Sequence, residues 1–144
     1  MRHALAAAIC GAIAISATAR ATSARVTCPR PYGAPAASDA ASVIEATKRL
    51  VPHEYARLTS MGHVAWRHFQ IQALFSLSPT YVVRQPAPVY RRIARRLCGE
   101  AVTERSWAVI LQFPDCQLPC SEDVAFLARE RRGWRIWYSE FHRP

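Results

Sequence analysis

Hydrophobic and polar positions change their period along the chain, and each change predicts a different element. After Ser38 and Asp39, which can cap a helix, apolar side chains recur at helical spacing and predict a first helix. These positions are Val43, Ala46, Leu50 and Val51. Pro52 is expected to break or kink this helix, and Gly62 to end it.

A period of two follows, which predicts a strand with one buried face. The apolar positions of this strand are Phe69, Ile71, Ala73, Phe75 and Leu77. A helix remains the alternative for this segment. The period returns to that of a helix after Pro88, which favours the first turn, and Gly99 is expected to close this second helix.

The last third of the chain predicts three successive strands, at 106–113, 122–130 and 134–141. A short turn containing Gly133 joins the last two as a hairpin. Strict alternation on the final strand would place Trp134, Ile136 and Tyr138 on one face. It would place Arg135, Trp137 and Ser139 on the other.

The element order predicts an α+β fold, an N-terminal helix plus an antiparallel sheet with a C-terminal three-strand meander. In such a domain we expect the helices on one face of the sheet. The order is compatible with a curved sheet around a helix, as in the cystatin-like or nuclear-transport-factor-2-like shapes. This is an analogy of architecture, because no motif of either family is present.

The N-terminus predicts export. A short basic start precedes an uncharged apolar run over 4–17, and small residues lead to Ala21. This layout is typical of a cleaved signal peptide, and the run is short for a membrane span. We therefore expect a signal peptide over 1–21, an irregular arm over 22–37 and a single α+β domain over 38–144. The mature protein would be secreted, periplasmic or in the cell envelope.

The charge of the chain favours anionic partners. The 19 Lys and Arg residues exceed the 10 Asp and Glu residues, and loss of Arg2 and Arg20 with the signal leaves 17 against 10. Lys48 is the only lysine, so the excess of arginine also indicates a bacterial genome of high GC content.

Four cysteines would remain in the mature chain, and an even number in an exported domain predicts disulfides. We favour the pairs Cys116–Cys120 and Cys28–Cys98. A zinc site would need a second close pair of ligands, and a redox site would favour C-x-x-C spacing. The sequence therefore predicts neither a metal nor another cofactor.

The best candidate site is one face of the second helix, where arginines stand at i,i+4 spacing. They are Arg91, Arg92, Arg95 and Arg96. We expect them to bind an anionic surface or polymer; the alternatives are a solvated face or pairing with Glu100, Glu104 or more distant acids. A second cluster, Arg129, Arg131, Arg132 and Arg135, is expected to keep a hairpin edge soluble. Trp137 is a candidate for stacking on bases or sugars, and burial is its alternative.

Enzyme activity has little support, because the chain has no nucleophile elbow, zinc-protease helix or phosphate loop. Tyr55, His68 and Gln70 could line a cavity, but no acid joins them in the sequence pattern. We expect a non-catalytic binding domain. A small-ligand pocket, with or without catalysis, and a sheet-edge interaction module remain the other hypotheses.

Overall fold

A computed structural model describes residues 26–33, 37–58, 67–79, 87–115 and 122–140. A short 3-10 helix, Ala37–Asp39, leads into helix α1, Ala40–Leu58. The remaining elements are β1 Gln70–Ser76, α2 Ala87–Cys98, α3 Glu100–Thr103, β2 Ser106–Gln112, β3 Glu122–Glu130 and β4 Gly133–Ser139. The fold is therefore α+β. None of the helices in the described ranges is long and apolar enough to cross a membrane.

The four strands form one antiparallel sheet in the order β1-β2-β3-β4. The last three strands are the predicted meander, and each pairs with its neighbour in sequence. Glu130 pairs with Gly133 across the hairpin turn. Gly133 has φ 121°, a backbone conformation that glycine adopts without the steric cost that a β-carbon brings.

Helices cover both faces of the sheet, so the expectation that they lie on one face is wrong. Helix α1 covers one face, where Val43, Val51 and Tyr55 pack with side chains of the strands. Helices α2 and α3 cover the other face through residues such as Ala94 and Val102. The reason lies in β3, where residues 124–128 are all apolar and buried, so each face of this strand needs a cover.

Strand β1 contains an irregularity that divides its predicted buried face. The pairing register with β2 shifts between Ile71 and Ala73. Beyond the shift Leu74, rather than Phe75, joins Ile71 on the α1 side. Phe75 stacks on Tyr90 of α2, with ring centroids 6.4 Å apart. The prediction of one apolar face from Phe69 to Leu77 is wrong because the bulge reverses the alternation.

A second bulge has the same effect in β4. Leu127 pairs with Ile136 and Phe126 with Tyr138, so Trp137 is an extra residue between two paired positions. Ile136 lies in the core on the α1 side, whereas Trp137 and Tyr138 lie in the core on the α2 side. The predicted grouping of Tyr138 with Ile136 is therefore wrong.

Helix α1 continues through Pro52, so the proline does not break it. A proline inside a helix loses one backbone hydrogen bond and crowds the preceding turn. Val51 and Tyr55 are both fully buried on either side of Pro52, and this packing holds the helix across the proline. The predicted end at Gly62 lies outside the described residues.

The described part of the N-terminal arm, 26–33, has no helix or strand, and a disulfide and several hydrogen bonds attach it to the rest of the protein. The predicted disulfide joins Cys28 to Cys98 at the end of α2, with the α-carbons 5.5 Å apart. The Tyr32 N–H donates to the Arg129 carbonyl at 2.6 Å, and the Arg30 N–H donates to Glu130 Oε1 at 2.9 Å. The other predicted pair, Cys116–Cys120, lies outside the described residues.

Candidate anion-binding surface

Helix α2 positions the predicted arginine face. Its inner side consists of Tyr90, Ile93 and Ala94, which pack on the sheet. Burial of this side fixes the rotation of the helix, so the arginines lie at its outer side and flank. The helix ends at Gly99, whose N–H donates to the Arg95 carbonyl at 2.8 Å and whose φ of 78° suits a glycine.

Glu100 neutralises one edge of this face. Its carboxylate forms an ion pair with Arg91 and lies 3.9 Å from the guanidinium of Arg95. The Arg91 side chain is only 23% exposed, whereas that of Arg95 is 61% exposed. Arg91 therefore belongs to a local ion pair, and Arg95 remains mostly in contact with solvent.

The other edge is formed by Arg92 and Arg96, one helical turn apart and both exposed. Neither forms an ion pair with any residue in the described ranges. Val89, which is 43% exposed, lies on the same side of the helix. Two like charges at this spacing repel each other, so an anion placed between them would lower the electrostatic energy of the face.

The second arginine cluster divides in the same way. Arg129 lies 4.0 Å from Asp39, and Arg135 lies 3.6 Å from Glu130, so both have acidic neighbours. Arg131 and Arg132, at the tip of the hairpin, are exposed and form no ion pair within the described part of the chain.

Trp137 lies in the core, contrary to the prediction of an exposed stacking surface. It is 6% exposed, and its ring centroid lies 5.2 Å from that of Phe126. Its indole N–H donates to Ser106 Oγ at 3.2 Å. The bulge in β4 turns this side chain toward α2, so neither a base nor a sugar can stack on it.

A buried polar cluster at Asp123 was not predicted from the sequence, in which Glu122 and Asp123 had the pattern of charges at a strand edge. The Asp123 side chain accepts a hydrogen bond from the Tyr55 hydroxyl and another, at 2.8 Å, from the Glu140 N–H. Asp123 is only 1% exposed. The only signal in the sequence is that Asp123 directly precedes the apolar run of β3.

Burial controls the ionisation of this cluster. Loss of solvation raises the pKa of Asp123 to about 6, while the hydrogen bond from Tyr55 acts in the opposite direction. Burial and the neighbouring carboxylate also raise the pKa of Tyr55 well above its usual value, so Tyr55 keeps its proton and remains the donor. Asp123 is thus an acid next to Tyr55, but it lies inside the core.

The other two residues of the hypothetical cavity lie at the surface. His68 Nδ1 is 3.0 Å from Asp115 Oδ2, and both side chains are more than half exposed. Gln70 is exposed and accepts a hydrogen bond from Gln72. Within the described ranges no group of three His, Cys, Asp or Glu side chains could hold a metal ion.

A cleft of ≈ 480 Å³ opens beside α1 and β1. It has mixed walls, with apolar side chains next to two cationic ones: Ile44, Phe69, Ile71, Lys48 and Arg67. This cleft is the candidate site for the hypothesis of a small-ligand pocket.

Comparison of the chain with models of protein families, with curated proteins and with solved structures finds no match.

Proposed function

We propose that this chain is an exported, non-catalytic binding domain that attaches to an anionic surface or polymer through the outer face of α2. One observation carries the proposal: Arg92 and Arg96 are exposed, one turn apart, without an acidic partner among the described residues. Arg95 extends the same face, and its guanidinium remains mostly exposed beside Glu100.

Guanidinium groups suit this role. Each presents several N–H donors in a plane, is weakly hydrated and binds the oxygens of phosphate, sulfate or carboxylate in pairs. A row of such groups on a rigid helix binds a surface of dense negative charge better than it binds one isolated anion. After signal cleavage the chain would have 17 basic and 10 acidic residues. This net positive charge would attract an anionic surface over distances longer than those of direct contacts.

Export agrees with the signal-like N-terminus and with the Cys28–Cys98 disulfide, because disulfides persist in oxidising compartments. The partner would then be a component of the cell envelope or of the surroundings of the cell. Lipid head groups and polyanionic glycans both offer the chemistry that α2 requires.

The test is charge reversal with a control of equal net charge. The double variant Arg92→Glu/Arg96→Glu is compared with Arg49→Glu/Arg57→Glu, which changes exposed arginines of α1 on the opposite side of the sheet. Binding is measured to vesicles with and without phosphatidylglycerol and to immobilised heparin, over a range of salt concentrations. The two supports distinguish a lipid surface from a glycan.

Each basic residue at an anionic membrane contributes about 1 kcal/mol, so loss of two arginines should weaken vesicle binding by about 30-fold, and their reversal by more. On heparin, the α2 variant should elute at lower salt than the control. Equal retention of the two variants on both supports would disprove the proposal, since net charge alone would then explain binding.

A further inference from the structure

A second basic site lies where the N-terminal arm meets the tip of the β3–β4 hairpin. The two segments enclose a cleft of ≈ 600 Å³, which we name the arginine cleft. Its lining residues are Arg30, Pro31, Tyr32, Glu130, Arg131 and Arg132. A volume of this size is in the range of sites that hold small organic molecules.

Charge distinguishes this cleft from an ordinary hairpin turn. Three arginines line it, whereas Glu130 is the only acid among its described lining residues, and that carboxylate already lies 3.6 Å from Arg135 outside the cleft. The side chains of Arg30, Arg131 and Arg132 form no ion pair within the described residues. The cleft therefore has an excess of positive charge that an oxyanion can neutralise.

An aromatic ring lines the same cleft. Tyr32 is 61% exposed, and it is one of only three large hydrophobic side chains that are exposed in the described part of the chain. Most of the large aromatic residues of the described chain pack in the two cores, but Tyr32 belongs to neither. Packing in the core therefore does not account for an aromatic side chain at this position. An exposed phenol ring next to arginines offers a flat surface on which a ligand ring can stack.

Glu130 adds an acceptor for hydroxyl groups. Its Oε1 accepts the Arg30 N–H at 2.9 Å, and a carboxylate has about four lone-pair positions, so acceptor capacity remains for a ligand. The cleft thus combines three features that suit an acidic sugar. The arginines can bind its oxyanion, the Tyr32 ring can stack on its sugar ring, and the Glu130 carboxylate can accept a hydrogen bond from a hydroxyl group.

The walls of the cleft are held in place before any ligand binds. The backbone hydrogen bonds of Arg30 and Tyr32 attach the arm to β3, and the Cys28–Cys98 disulfide attaches it to α2. Such preorganisation reduces the conformational-entropy cost of binding, because the walls do not have to become ordered when a ligand binds.

We propose that the arginine cleft binds a sugar ring that carries a phosphate, sulfate or carboxylate group. The arginines hold the oxyanion, Tyr32 stacks on the ring, and Glu130 accepts a ring hydroxyl. This site is separate from the arginine face of α2, so either proposal can fail without the other.

The test uses the full exported chain with its disulfide intact, at low salt. Titration calorimetry measures binding of glucose 6-phosphate, glucose, inorganic phosphate and adenosine monophosphate. Glucose 6-phosphate should bind at least about tenfold more tightly than glucose and than inorganic phosphate, because only this probe combines ring and anion.

Variants identify the residues. Tyr32→Ala should weaken the binding of glucose 6-phosphate by about tenfold and leave the affinity for inorganic phosphate unchanged. Tyr32→Phe, which keeps the ring, should bind glucose 6-phosphate as tightly as the wild type does. Arg131→Gln/Arg132→Gln should weaken the binding of both glucose 6-phosphate and inorganic phosphate by about tenfold or more. Arg105→Gln, an exposed arginine outside the cleft, is the control and should change neither.

Three results would overturn the proposal. The first is equal affinity for glucose 6-phosphate and inorganic phosphate, which would leave no role for the ring. The second is an unchanged affinity of Tyr32→Ala or of the double arginine variant. The third is tighter binding of adenosine monophosphate than of glucose 6-phosphate, which would identify the ligand as a nucleotide instead of a sugar.

Discussion

The buried carboxyl of Asp123 gives the sharpest prediction, because its effect on stability has a definite sign. Its pKa is about 6 in the folded protein, against 3.8 for an unperturbed aspartate. The folded state therefore holds the Asp123 proton more tightly than the unfolded state does. Its contribution to the free energy of unfolding is fully present below about pH 4 and is lost as the pH rises through about 6.

The size of the effect follows from the difference between the two pKa values. A difference of about 2 units corresponds to about 3 kcal/mol. Asp123→Asn keeps the shape of the side chain but cannot ionise. The stability of the wild-type protein relative to this variant should therefore fall by about 2.5 kcal/mol between pH 4 and pH 8, because part of the effect is already lost at pH 4.

Urea unfolding at one-unit pH intervals, followed by tryptophan fluorescence with the disulfide intact, measures this difference. Comparison with the variant cancels the titration of the exposed carboxylates, which both proteins share. Glu122→Gln, at the exposed neighbouring position, is the matched control, because it removes an exposed carboxylate and keeps the buried one. If the difference between the wild type and Asp123→Asn stayed constant over this range, the reasoning about burial would be refuted.

Two further predictions concern the same core and the arm. Tyr55→Phe removes the hydroxyl that donates to Asp123, so it should destabilise the protein by about 1.5–3 kcal/mol at pH 8 and by less at pH 4. Urea unfolding at both pH values measures this, and an equal loss at both would contradict it. Cys28→Ser/Cys98→Ser opens a link between residues 70 positions apart and should lower the free energy of unfolding by about 4 kcal/mol. Thermal and urea unfolding measure this loss, and a variant as stable as the oxidised protein would show that the disulfide does not constrain the unfolded chain.

Helices α1 and α2 and the four strands were accessible from the sequence because their signals are local, whereas the short helix α3 was not predicted. Proline near the start and glycine after the end delimit α2, and alternation with turn residues delimits the hairpin. The predicted strand at 122–130 has the same bounds as β3. Local signals of this kind need no knowledge of what packs against the segment.

The two bulges were not accessible in the same way, because an inserted residue changes no local preference. Ala73, Leu74 and Phe75 are all apolar, so the β1 sequence fits the sheet with or without a shift in register. Trp137 and Tyr138 present the same ambiguity in β4. Only the presence of a helix on each face decides which side chain points where, and strict alternation assumes a single buried face.

The buried acid shows a related limit. A carboxylate at the start of a strand is usually exposed. The backbone of the adjacent Val124 forms a hydrogen bond to Asp123, but the other donors are distant in the sequence. These distant donors are Tyr55, 68 positions earlier, Ser139 in the last position of β4, and Glu140 directly after it. Burial of this group is thus a property of three elements that meet, and no single segment encodes it.

The two cores also determine where binding chemistry can lie. Most of the aromatic side chains that the structure describes pack between the sheet and its helices, among them Phe113, Phe126 and Trp137. The aromatic content of the sequence therefore supports stability rather than a pocket inside the sheet. The groups left for recognition are arginines at the periphery, on α2 and at the hairpin tip. The Cys28–Cys98 disulfide joins the arm that lines the arginine cleft to the end of α2, so one short segment, residues 26–33, connects the two regions of exposed arginine.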